Sequence, residues 1–429
     1  MTLYGGLNTK ETIARRMKVF QPYLKHIQEH GFHKDLIDPL ISDHRSIRND
    51  VILLQKRYEV SSDGVPILER PISLNLTENE KVRQLHRIVN NKVNTASDGE
   101  IVDTKVGYVF GIPINYTLDV NEHDNMPKLQ EAVEKFRIRN NVADRDSSLG
   151  KVTDIAGYGA RLIYTATEDD LLVLKVANID PAECIFFFDE SISEPKYAMR
   201  YYETFIVDEN VNKKQVTIVE FYDDKSTYFY SNVNGDYELT NVALHGADYC
   251  PLFGIENNDE MQGAAVRVLN LIDAYDRSLS DANNEVESMR LAMLILRNVG
   301  LSEDEGQQLQ KSGYLELWGE DAEVSYLTKN VNDSMIEHHL ARLEKNIMRV
   351  SKNVDFTSEE FSSQSSGVAI KFRTMALEHK AIIAEQKMRS ALQYQFKVMC
   401  SAWSKLGICN KEDYLKVFFE FKRNLPDNL

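Results

Sequence analysis

The chain has only four cysteines in 429 residues, Cys184, Cys250, Cys400 and Cys409, and no two form a CxxC pair. That spacing matches no zinc site and suits a reducing cytoplasm, so the four are read as packing residues. Ten prolines and twenty glycines against 43% hydrophobic residues exclude a largely disordered chain, and the length allows two or three packed units. Nowhere do about eighteen apolar residues run consecutively, which excludes a hydrophobic membrane span. The opening MTLYGGLNTK has no apolar stretch of the signal-peptide kind, so a soluble protein without a cleaved signal is expected. Positive charge is short as well: 50 Lys and Arg face 66 Asp and Glu, a net charge of -16. A surface that grips duplex nucleic acid through bulk positive charge is thereby excluded, and any contact with nucleic acid must be loose or local.

Nucleotide and metal signatures are equally scarce. No Walker A loop occurs, which removes the simplest ATPase reading. Gly157-Tyr158-Gly159 lacks the third glycine and the strand-turn-helix setting of a dinucleotide site, and reads as a turn or bulge. Glu220 with Asp223, Asp224 and Lys225 resembles a metal-dependent nuclease cluster only loosely, because its acids fall at a strand end and into a turn. His338-His339 lacks the i, i+4 partner that ligation on one helix face requires, and is read as surface. Asp144-Arg145-Asp146 fits a loop ahead of a helix as easily as a metal site. No metal and no cofactor are expected.

What is present is ordered in blocks. Ile13, Met17, Phe20, Leu24 and Ile27 recur at 4-3-4-3 spacing, predicting a helix that Gly31 caps. A second helix is predicted from Leu40 to Tyr58, and a third after Thr77, whose hydroxyl with Glu80 makes a capping box. Between Ala160 and Val242, segments such as LLVLKVA, CIFFFD and VTIVEFY are β-branched and aromatic, predicting an antiparallel meander with a type I′ turn at Asn234-Gly235. Helices, then a meander, then helices again give an α+β protein rather than a parallel α/β sheet.

From Gln262 the period changes. Val266, Leu269, Ile272, Leu279, Ala282, Val286, Met289, Met293 and Leu296 predict one helix of about thirty-five residues, roughly 50 Å long. A compact αββ insert follows, with a capping box at Ser302–Glu305 and two short strands, Tyr314–Trp318 and Val324–Thr328, as a pair. Ile336, Leu340, Leu343, Ile347 and Val350 then restore a helical seam that would return antiparallel to the first. Residues 353–366, NVDFTSEEFSSQSS, form an acidic, serine-rich loop. Its carboxylates either oppose the dipole of the next helix or, in a DNA channel, repel phosphate and stop the duplex from sticking, and both readings stand. A last helix runs from Gly367 to about Leu406. The six-residue step from Ile382 to Met388 breaks its seam, which predicts a kink or a change of packing partner.

Three segments in order, NKVNTASDGEIVDTKVGYVFGIPINY (91–116), Ile255–Leu296 with ENNDEMQG and LIDAYDRSLSDANNEVESMRLAMLIL, and SSGVAIKFRTMALEHKAIIAEQKMRSAL (365–392), resemble the portal proteins of siphophages, the SPP1 portal-like family. FEFKRNLPDNL at the end of the chain matches further. The resemblance implies a portal fold: a mixed helical and antiparallel-β wing (1–261), stem helices (262–297 and 333–352), a small αββ clip (298–332), a tunnel loop (353–366), a long kinked helix (367–406) and the base of a short or truncated crown (407–429).

It also implies a non-enzymatic virion protein, assembled in the bacterial cytoplasm as a ring, usually of twelve copies, at one capsid vertex. Double-stranded DNA would pass through its lumen. Its partners would be a terminase, a head-completion adaptor, and major capsid and scaffolding proteins, with no membrane. For lumen contact the residues chosen are Asp355, Phe356, Glu359, Glu360 and Phe361. For partner docking they are Glu303, Asp304, Gln308, Tyr314 and Trp318, although Tyr314 and Trp318 fit the insert's own small core as well. Two further classes remain open: a metal-dependent DNA-processing enzyme using Asp223 and Asp224, and a coiled-coil scaffold, which leaves the β-rich middle without a purpose.

Overall fold

The computed structural model describes residues 11–71, 89–118, 126–168, 171–207, 213–232, 235–289, 293–297, 323–327, 333–355 and 367–424. Two compact units divide the chain: residues 1–65, 96–270 and 347–429 form the first, and residues 66–95 and 271–346 the second.

The first unit opens with helices α1 (Ile13–Arg16), α2 (Gln21–His30) and α3 (Ile37–Tyr58), with a single 3₁₀ turn, Met17–Phe20, between the first two. All five residues of the 4-3-4-3 seam are buried. Gly31 ends α2 at φ 80°, a left-handed backbone that glycine adopts without a Cβ penalty. The seam packs on a five-stranded antiparallel sheet made of β4 (Cys184–Phe187), β5 (Tyr197–Val207), β6 (Lys213–Tyr222), β7 (Ser226–Asn232) and β8 (Tyr237–Leu244), in sequential order. This is the predicted meander, and aromatic pairs weld it to the helical layer: Phe32, just after α2, stacks on Phe221 with ring centroids 3.9 Å apart. Asn234 lies outside the described residues; Gly235 has φ 101°.

A second core in the same unit gathers α4 (Ser97–Phe110), β1 (Asn115–Leu118), α5 (Pro127–Arg139), α6 (Val142–Ala156) and the sheet of β2 (Tyr158–Glu168), β3 (Leu171–Ile179) and β9 (Leu252–Glu256). Gly157 ends α6 at φ 94°, and a Cβ there would meet the Met261 carbonyl oxygen at 2.2 Å. Gly157 is thus a helix cap and Tyr158 and Gly159 open β2, where the sequence predicts a turn or bulge. The long helix, here α9 (Gly367–Lys405), passes through this core, and β12 (Val417–Glu420) returns to pair antiparallel with β1. Arg161, almost fully buried on β2, ties three elements together: it donates to Asp146 at 2.7 Å, Gln395 at 3.0 Å and Asn178 at 3.1 Å.

The second unit holds most of α7 (Leu269–Met289), strands β10 (Met293–Arg297) and β11 (Glu323–Leu327), and most of α8 (Asp333–Ser351). One expectation is corrected here. The helix predicted to run through Leu296 ends at Met289, and Met293–Arg297 is a strand. Its antiparallel partner is Glu323–Leu327, so the strand near Val324 pairs backward with the MLILR run. An apolar run of five fits helix or strand equally, and the long-range partner decides. Thr77 and its capping box, like Ser302–Glu305 and Tyr314–Trp318, lie outside the described residues.

Asn91, Val93 and Thr95 donate their backbone N–H groups to Asn284 Oδ1 at 2.7 Å, Ser280 Oγ at 2.9 Å and Asp276 Oδ1 at 3.1 Å. Alternate residues of the segment thus donate to positions four apart on α7, so an i, i+2 run of N–H groups keeps step with an i, i+4 polar ladder of about 6 Å per step. The ladder explains why Asp276 and Ser280 are buried on a helix face that looks merely polar in sequence.

Candidate functional site

The acidic loop leaves α8 at a sharply determined point. Ser351 ends the helix, and Lys352 takes φ 55°, the left-handed geometry of a helix C-terminus without the usual glycine. The Asn353 N–H donates to the Met348 carbonyl and to Ser351 Oγ, both at 3.2 Å, while Ser351 Oγ itself donates to Met348 O. Ser351 and Asn353 are buried, and Asp355, two residues on, is exposed.

What holds this root in place comes from α9. Lys380 Nζ donates to the Ser351 carbonyl at 2.9 Å, placing a cation at the negative end of the α8 dipole. Burial pushes the Lys380 ammonium down to about 8, with Lys105 adding repulsion and Asp154 opposing it. Lys105 in turn pairs with Asp154 and donates to Asn257 Oδ1 at 2.7 Å. Asn257 closes the arrangement by donating through Nδ2 to the Gln262 carbonyl at 2.8 Å. The chemistry is that of a mechanical anchor: one buried and one half-buried cation, one carboxylate and backbone carbonyls with their main hydrogen bonds made. Sequence reading missed Lys380, Lys105 and Asp154, because each looks like an ordinary charge on an amphipathic helix and only the fold brings them together.

Of the residues chosen for lumen contact, Asp355 sits just beyond this anchor; Phe356, Glu359, Glu360 and Phe361 lie outside the described residues. So do the docking candidates Glu303, Asp304, Gln308, Tyr314 and Trp318.

The acids that suggested an enzyme have other employment. Asp223 Oδ1 accepts the N–H groups of Lys225 at 2.7 Å and Ser226 at 2.6 Å, so its carboxylate closes the β6–β7 turn. Glu220 is buried and accepts from Tyr222 Oη at 2.6 Å, with Arg200 alongside. Asp144 stands in the first turn of α6, and Asp146 is the buried partner of Arg161. His338 and His339 are exposed on α8. Among the described residues no group of three or more His, Cys, Asp or Glu side chains is arranged to hold a metal ion, and no helix is long and apolar enough to cross a membrane. Cys184, Cys250 and Cys400 are buried free thiols and Cys409 is half-buried, as packing residues would be.

Comparison with known proteins joins these elements to one family. The chain is 22% identical over 406 residues to the portal protein of Clostridium phage phiCD119, covering 91% of this chain and 86% of that one. It is 24% identical over 328 residues to the portal protein of Bacillus phage SPP1, covering 72% of this chain and 61% of the relative, so it spans about three fifths of that protein's length. The family model described as phage portal protein, SPP1 Gp6-like, matches residues 37–429, from the start of α3 through the β-rich middle, the two helices around the strand pair, the loop and α9; the chain belongs to this family of phage portal proteins.

Proposed function

We propose that this chain is the subunit of the portal ring at the capsid vertex, the conduit through which double-stranded DNA is packaged and ejected. Portal proteins of phages are structural components of the virion, generally oligomeric, and act with capsid, DNA and terminase. The observation that carries the reading is the match over residues 37–429, which takes in the acidic loop and the helix that anchors it. Twelve copies would form the ring. The loop residues Asp355, Phe356, Glu359, Glu360 and Phe361 would reach the lumen, where carboxylates repel phosphate and leave the duplex free to slide. The net charge of -16, unsuited to a protein that holds DNA, suits one that lets it pass.

The anchor supports the mechanical side of this reading. A loop that touches moving DNA transmits force to its root, and here the root is pinned by Lys380 and by the bonds among Met348, Ser351 and Asn353. Residues 298–332, with Glu303, Asp304, Gln308, Tyr314 and Trp318, would serve as the clip on which the terminase, and later a head-completion adaptor, docks. Capsid and scaffolding proteins would contact the outside of the ring. The chain would supply the channel and the terminase the ATP hydrolysis.

Negative-stain images of the purified full chain test the assembly: rings with an axial hole are expected, and a monomer at every concentration would overturn it. For the loop, reversing charge with Asp355→Lys, Glu359→Lys and Glu360→Lys in assembled rings is expected to retain duplex DNA at low salt and release it as salt rises. Packaging by the triple variant at the wild-type rate would remove these residues from the lumen.

A further inference from the structure

Helix α9 is built inside out over its first half. The side chains it turns toward its own chain there are small or medium, Thr374, Leu377, Ala381 and Ala384, all buried. The large apolar ones, Phe372, Met375, Ile382 and Ile383, are exposed, Phe372 to 72%. At 100° per residue the two sets centre on directions about 170° apart, so they occupy opposite faces of one helix. Ala376 and His379 fill the gaps in the exposed set, giving a continuous stripe of about three turns. A helix apolar on both faces is one that is meant to be enclosed.

The stripe's charge indicates what encloses it. No carboxylate lies on it. The nearest acids on its flank, Glu378 and Glu385, are already neutralised within the chain: Arg423 grips Glu378 through two nitrogens at 2.9 and 3.0 Å and reaches Glu385 at 2.9 Å. Copies carrying a net charge of -16 repel one another over most of their surface, and associate only where the contact is uncharged and apolar. DNA cannot cover such a stripe, because its surface is hydrated phosphate.

We propose that the stripe Phe372, Met375, Ala376, His379, Ile382 and Ile383 is a subunit interface, covered by a second copy of this chain. The contact is heterologous, the stripe of one copy meeting a different face of the next, which is the kind of contact that closes into a ring. This assignment rests on the ring reading above and locates one of its contacts. It also accounts for the phase break after Ile382: before it the helix is shared between two copies, and beyond it α9 lies wholly within one.

The test uses the full chain in three forms. In the first, Phe372→Gln with Ile382→Gln removes apolar surface from positions that are exposed in the single chain, so circular dichroism and the melting curve of the subunit should not change. Assembly, followed by light scattering across a concentration series, should require about tenfold more protein per substitution. In the second form, Met375→Cys, a maleimide should label position 375 slowly in rings and rapidly in dilute subunits, with the unsubstituted third form as the blank for native thiols. Rings of the double variant that form at wild-type concentrations would overturn the proposal. So would a thiol at 375 that labels equally fast in rings and in subunits, since the stripe would then be open or kept for another protein. An unsubstituted chain that never assembles would overturn the ring reading itself, an outcome distinct from either of these.

Discussion

Phe372 and Phe396 lie on the same uninterrupted helix, yet the first is 72% exposed and the second is fully buried. Around Phe396 the helix is enclosed on most of its circumference: Ala391, Leu392, Tyr394, Gln395, Val398, Met399, Cys400 and Trp403 are buried within one chain, against α4 to α6, β1, β12 and the three-stranded sheet. Around Phe372 only one face is packed, and it is the face with the smaller side chains. Identical residues on one helix thus belong to different structural levels. The C-terminal half of α9 makes the subunit fold, and the N-terminal half holds the loop root and presents the stripe.

The largest effect is expected where that difference is tested directly on stability. Phe396→Ala deletes a fully buried ring that packs edge-on against Tyr116 at 5.7 Å and lies beside Phe419, also at 5.7 Å. A cavity at such a site costs about 3–5 kcal/mol, enough to remove a large fraction of a domain's stability. Urea unfolding of the subunit should show this loss; a cost below about 1 kcal/mol would mean that the C-terminal half of α9 is no tighter than the N-terminal half.

The second expectation concerns Lys380, where the N-terminal half grips the loop root. In an unfolded chain a lysine titrates near about 10.4, whereas burial brings Lys380 to about 8. Above the unfolded value both states are neutral and the group costs nothing. As pH falls between the two values the unfolded chain takes up its proton first, so stability falls; below about 8 both states are charged and the penalty stays constant. Lys380→Met should therefore flatten the difference in urea midpoint between pH 10 and pH 8 relative to wild type, by an amount on the order of 2 kcal/mol. Equal slopes in the two proteins would show that the ammonium is solvated and does not anchor Ser351.

The same contrast shows how far the sequence could be read. Local periodicity found α2 and α3 and the meander, because each is a repeated pattern in which every residue reports on the same face. It failed where a distant partner decides. MLILR continues the heptads of α7 and becomes a strand only because Glu323–Leu327 pairs with it. Asp276, Ser280 and Asn284 look solvated until residues 91–95 lie along them. Lys380 is one cation among 50 basic side chains, and only the placement of Ser351 beneath it singles it out. The seam through Phe372, Met375 and Ile382 was legible as apolar. That it faces outward was not, since periodicity reveals a hydrophobic face without saying whose side chains cover it.

Phe372→Ala is therefore the finest test of the comparison, because it makes the same change as Phe396→Ala on the same helix and is expected to do almost nothing to the isolated subunit. A side chain 72% exposed has little burial to lose, and substitutions at such positions stay within about 0.5 kcal/mol. Alanine also has the higher helix propensity, which offsets part of even that. The subunit's urea midpoint should stay within error of wild type, while assembly, which buries the ring against a second copy, should weaken. A destabilisation of the lone subunit approaching that of Phe396→Ala would place Phe372 in the subunit's own core, and both the outward stripe and the division of α9 into two halves would fall together.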